Sequence, residues 1–167
     1  MMKKSTFVLC MLVLFLFTAS MIHAQYKFFN IPSCSFRPMD EDYTYTYYWD
    51  YSYADSDCPS SPYFFAPIYL PQDATIVSVT LSYYDSDSSN DMSFSVIRTN
   101  LYTKSYQTLF SGSSSGSSGE GEIVDSTLNN GSRIVKNNSF YYAAYISIPA
   151  AGVGSSLKFY CLKIKYQ

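Results

Sequence analysis

Along the chain after residue 24, apolar and polar positions alternate in short stretches with a period of two. This spacing sends successive side chains to opposite faces of a strand. Within 75–84, Val77, Val79, Leu81 and Tyr83 face one way, and Ser78, Thr80, Ser82 and Tyr84 the other. Met92, Phe94 and Val96 alternate with Ser93 and Ser95. Tyr142, Ala144, Ile146 and Ile148 form a further stripe, and Tyr160, Leu162, Ile164 and Tyr166 another, set against Cys161, Lys163 and Lys165. The longest alternation runs over 43–53. Read as one strand, it puts Tyr43, Tyr45, Tyr47, Trp49, Tyr51 and Tyr53 on one face and Thr44, Thr46, Asp50 and Ser52 on the other. The run 63–69 is densely aromatic, with Pro67 marking an edge or a bulge. Shorter candidates are 27–31, 106–110, 122–127 and 133–135.

Eight to ten short strands with turn signals at roughly 8–12-residue intervals predict an all-β fold, an antiparallel β-sandwich of jelly-roll or Greek-key type. One-sided alternation gives each sheet a buried and a wet face, and two sheets packed face to face satisfy that pattern. The breaks fit. Residues 85–91 read as a polar hairpin loop, 111–121 (SGSSSGSSGEG) as a flexible Gly/Ser loop within a single domain over 25–167, and Asn129-Asn130-Gly131 as a turn.

Residues 1–24 differ in kind. A basic start with Lys3 and Lys4, an apolar run from Phe7 to Phe17 and a small residue at Ala24 make a signal peptide. The run is too short to span a bilayer, which takes about 20 apolar residues. The expected location is outside the cytoplasm, secreted or at the cell surface, with the periplasm as a further compartment, and the mature chain carries no membrane span.

Composition then narrows the chemistry. Only 14% of residues are charged, against about 25% on average, while 18 are tyrosine, so hydroxyls and amides cover the surface. The net charge is −2, and losing Lys3 and Lys4 from 11 basic residues against 13 acidic ones leaves −4. A nucleic-acid partner is therefore not expected. The single histidine, His23, lies in the leader, so the mature chain has no imidazole for proton transfer or metal ligation. No nucleophile with a base is recognisable, and the protein is expected not to be an enzyme.

Three cysteines remain after the leader: Cys34, Cys58 and Cys161. Cys34 with Cys58 is the expected disulfide, closing a loop of about 25 residues worth roughly 3.5 kcal/mol in the chain-entropy account. Cys161 is left as a free thiol, an intermolecular link or the true partner of one of the others. Asp85, Asp87 and Asp91 put carboxylates at spacings that suit a weak Ca²⁺ site, although the stretch lacks the glycine and terminal glutamate of an EF-hand loop; no other cofactor is expected. Tyr47, Trp49 and Tyr51 are the candidate ligand-binding residues, since flat rings offer apolar faces to sugar C–H groups.

Three further stretches belong together: Ile31-Pro32-Ser33-Cys34-Ser35-Phe36-Arg37-Pro38, the segment from Ala66-Pro67-Ile68-Tyr69-Leu70-Pro71-Gln72-Asp73-Ala74-Thr75-Ile76 to Ser82-Tyr83-Tyr84-Asp85, and the closing Phe159-Tyr160-Cys161-Leu162-Lys163-Ile164-Lys165-Tyr166. Their combination resembles a recurring domain of secreted and surface proteins of environmental bacteria, framed by IPxxxFRP, APVxLPxGATI…YYYD and LYGVRIxY. The resemblance covers nearly all the mature chain and implies a β-sandwich rather than an activity. Asp73 and Cys161 stand where that pattern carries glycine. Taken together, the sequence predicts a secreted, non-catalytic structural, adhesive or assembly-forming sandwich, whose partners are other protein subunits or itself. The alternative is a carbohydrate-binding module that holds a surface polysaccharide on an aromatic strand face.

Overall fold

The structure is a computed structural model that describes residues 25–43, 45–48, 50–54, 61–149 and 154–167. The leader, Trp49 and Cys58 lie outside the described residues. Eleven strands are seen among them: β1 (Lys27–Pro32), β2 (Arg37–Pro38), β3 (Tyr45–Tyr47), β4 (Ser52–Ala54), β5 (Tyr63–Ile68), β6 (Ile76–Asp85), β7 (Ser93–Asn100), β8 (Tyr106–Ser113), β9 (Gly119–Asp125), β10 (Phe140–Ser147) and β11 (Leu157–Tyr166). Two single-turn 3₁₀ segments complete the regular structure, and no described helix is long and apolar enough to cross a membrane.

All strand pairs are antiparallel, as short turns between alternating segments require. One sheet has the order β3-β4-β11-β6-β9, with β1 also paired to β11; the other has the order β2-β5-β10-β7-β8. The chain is thus the antiparallel β-sandwich its pattern predicts. The two sheets bury their apolar faces on each other, and the layer between them is held by rings: Phe159 meets Phe36 and Phe64 at 5.4 Å each, and Tyr45 reaches Phe64 at 5.9 Å. The inward tyrosines keep partners for their hydroxyls, Tyr142 accepting from the Lys136 amide at 2.8 Å and Tyr83 bonding the Ser118 hydroxyl at 3.2 Å.

Three expectations change. The alternation over 43–53 is not one strand: it folds back as a hairpin, with the Tyr48 amide donating to the Tyr51 carbonyl at 2.8 Å and Tyr47 opposite Ser52. Alternation holds on each side, but the faces swap: on β4 Ser52 and Ala54 are buried opposite Tyr47 and Tyr45, and Tyr53 lies opposite Thr46, while the stretch between the two strands carries no Gly or Pro to mark a turn. The Gly/Ser-rich stretch 111–121 supplies the end of β8 and the start of β9, so that only 114–118 link the sheets. Its glycines permit this packing: a Cβ on Gly112 would stand 2.5 Å from Ile123, and one on Gly121 2.8 Å from the Tyr83 hydroxyl. Finally, 133–135 forms no strand but a lone bridge between Thr75 and Ile134.

Side chains and loops close the outer edge of β8. The Asp125 carboxylate accepts from the Ser111 amide at 2.9 Å, and the Asn129 amide donates to the Leu109 carbonyl at 2.8 Å. Lys27 pairs directly with Tyr166, while Thr75 and Gln167 exchange both backbone bonds.

Candidate functional site

Of the residues expected to bind a ligand, Tyr47 and Tyr51 fall in separate ring clusters, and Trp49 lies outside the described residues. Tyr47 is 40% exposed: its ring lies 4.7 Å from Tyr45, and its hydroxyl donates to the Phe36 carbonyl at 3.3 Å. Burial, then hydrogen bonding and charge interaction with Tyr45, push that hydroxyl up to about 12. Tyr51 sits in a second cluster, 4.7 Å from Tyr48, 6.1 Å from Tyr53 and 6.3 Å from Tyr160. Its ring face is further covered by the Lys158 ammonium at 4.8 Å, which also reaches Tyr84 at 5.1 Å. These rings are occupied with each other.

Nor do the three aspartates converge. Asp85 is fully buried, accepting from the Ser114 hydroxyl at 2.6 Å and the Asp87 amide at 3.0 Å. Asp87 caps its own loop through the Ser89 and Asn90 amides, which hold its carboxyl below the usual range. Asp91 accepts from the Gly116 amide at 3.0 Å. Among the described residues no three His, Cys, Asp or Glu groups could share an ion. Cys34 is exposed and unbridged among the described residues, and its expected partner Cys58 lies outside them. Cys161 is half-buried, and burial pushes its thiol up.

A coherent surface appears instead on the outer face of the five-stranded sheet. The register lines up its outward side chains in rows across the strands. Tyr63, Ser147, Ser93 and Ser113 make one row, from β5 through β10 and β7 to β8. Phe65, Tyr145, Ser95 and Ser111 make the next, extended to Arg37 on β2. Pro67, Ala143, Ile97 and Thr108 follow, and then Tyr141, Thr99 and Tyr106. Aromatic rings therefore gather on β5 and β10, and hydroxyls on β7 and β8.

Two adjoining hollows lie on this face, of about 370 and 410 Å³. Both are lined by Tyr63, Ser95, Thr108 and Tyr145, so they form one groove. Its far ends are Ser113 and Gly112 on one side and Tyr106 and Met39 on the other. The volume is that of a small-molecule site. Phe65 braces Tyr145, with ring centroids 6.4 Å apart. Burial, with Tyr141 nearby, pushes the Tyr145 hydroxyl above the ordinary tyrosine range. Tyr63 and Tyr106 are 48% and 71% exposed, so their rings are open to a ligand.

The alternation in the sequence carried a trace of this face. Tyr63 and Phe65 occupy the wet positions of β5, and Tyr141 and Tyr145 those of β10, where a sandwich needs no aromatic residue. What the sequence lacked was the strand order that puts β5 beside β10, some 75 residues away in the chain.

Fold and face together describe an antiparallel β-sandwich with one hollowed outer sheet. No family model matches the sequence, and no curated protein does. Among solved structures, the chain is similar to the C-terminal CBM6 of LamC, a marine laminarinase from Zobellia galactanivorans (TM-score 0.49, 10% identity, 83% of this chain and 98% of that one covered). It is also similar to CsCBM6-3 from Clostridium stercorarium, solved with cellobiose (0.48, 8%, 80% and 90%). A third is the xylan-binding module CBM86 from Roseburia intestinalis (0.46, 14%, 86% and 97%). These likenesses fall below a TM-score of 0.5, and the fold stands on the strand order described above.

Proposed function

We propose that this protein is a non-catalytic carbohydrate-binding module whose ligand lies in the groove across β5, β10, β7 and β8. One observation carries the reading: on a single open face the register sets tyrosine rings beside a field of serine and threonine hydroxyls, lining a continuous hollow. A sugar ring presents the matching pair of surfaces. Its C–H face packs on an aromatic ring, and its hydroxyl edge exchanges hydrogen bonds with groups that both donate and accept. The aromatic cluster around Tyr51 lacks this pairing, since its rings are packed on one another and under Lys158.

Native affinity gels cast with soluble polysaccharides test the assignment. Tyr145→Ala removes a central anchor, so retardation by a bound polymer is expected to weaken by roughly tenfold or more, which corresponds to at least about 1.4 kcal/mol. Tyr51→Ala is expected to leave binding unchanged. The reverse pattern would move the site to the β3–β4 hairpin and overturn the assignment.

A further inference from the structure

We infer that the groove selects a neutral polysaccharide, held over several consecutive sugar rings, and rejects uronic-acid and sulfated chains. The inference rests on the carbohydrate reading above and narrows it to a substrate class.

Charge carries the first half. Every described residue lining the two hollows is Tyr, Ser, Thr, Gly, Phe, Met or Ile. An anionic glycan entering the groove would give up water around its carboxylates or sulfates with no lining cation to replace it, and unpaired charge is costly to desolvate. The protein does not lack charge in general. Outward positions of the other sheet carry Lys158, Lys163 and Lys165 on β11 and Glu120 and Glu122 on β9. In the rows of the groove face, the charged side chain among the described residues is Arg37, on the outermost strand and outside the lining of both hollows.

Extent carries the second half. The lining crosses four strands, from Tyr63 on β5 to Thr108 on β8. Three strand spacings of about 4.8 Å make a path of roughly 14 Å. A single sugar ring would cover only part of it. A chain can lay ring faces on Tyr63 and Tyr145 while its hydroxyl edges reach Ser93, Ser95 and Ser111.

The test compares polymers at equal mass in affinity gels: a neutral β-glucan, an unsubstituted xylan and a galactomannan against polygalacturonate and a sulfated galactan, each at low and high salt. Retardation by at least one neutral polymer, insensitive to salt, absent with both acidic ones and weakened tenfold or more in Tyr145→Ala, is the expected result. The bound polymer's own hexasaccharide should compete, and its monosaccharide at equal mass should not. Retardation by acidic polymers alone, or salt-sensitive binding, overturns the selectivity while leaving a sugar-binding groove in place. Equal competition by the monosaccharide overturns the extended site. Retardation by none of the polymers overturns the carbohydrate reading itself, and the inference with it.

Discussion

Asp73 shows how one residue can hold an unfavourable backbone without disturbing the fold. It has φ +65, in the left-handed region that favours glycine. Aspartate is among the side chains that tolerate this region. Its carboxylate pairs with Lys136, which holds it below its ordinary range. Asp73→Gly loses the ion pair but relieves the backbone, whereas Asp73→Ala loses the pair and keeps the strain. Thermal melts should therefore leave the glycine variant unchanged and lower the alanine variant. Tyrosine titration supplies a second expectation at this scale. Tyr47 rises from 10.0 to about 12, and burial also raises Tyr145 and Tyr160. Above about pH 10 the unfolded chain loses these protons first, so the folded state binds more of them and stability falls as pH rises. Denaturant midpoints should be flat from pH 7 to 9 in this respect and decline from about pH 10 towards 12.

The elements divide into those written in the sequence and those made by contacts at a distance. Period-two alternation located β6, β7, β10 and β11, whose inward positions are buried, although β7 runs on to Asn100 and β11 begins at Leu157, beyond the stripes; β1 and β5 were visible as a short candidate and a dense aromatic run. The β3–β4 hairpin escaped because no Gly or Pro interrupts the alternation between its strands, and the ends of β8 and β9 because serine and glycine carry no hydrophobic signal. Gly112 is held in β8 by close packing, its missing Cβ making room for Ile123 and the Phe94 ring, 3.0 Å away. Gly112→Ala is expected to destabilise by about 1–3 kcal/mol, measured by urea unfolding, as overpacking does. The loop between β6 and β7 is a second test of local meaning. Its carboxylates serve the Ser114, Asp87, Ser89, Asn90 and Gly116 donors. The melting temperature should accordingly be the same in calcium and in EDTA; a rise with calcium would reinstate the cation site that the spacing of Asp85, Asp87 and Asp91 suggested.

For the whole molecule, the sandwich was legible because the apolar stripes alone demand two layers, whereas the groove was not. Most of its members lie on four strands scattered from residue 63 to residue 147, with Met39 beside them, and only the sheet order assembles them. Sequence reasoning pointed to aromatic residues in the densest run, 43–53, where Tyr48, Tyr51 and Tyr53 pack on one another. The same sheet order also settles where the ends of the sandwich emerge. Lys27 and Tyr166 are direct neighbours on the six-stranded sheet, and the groove lies on the other one. Anything fused or immobilised at either point would share a single attachment corner, and the tyrosine-and-serine face would be left free to meet an extended fibre.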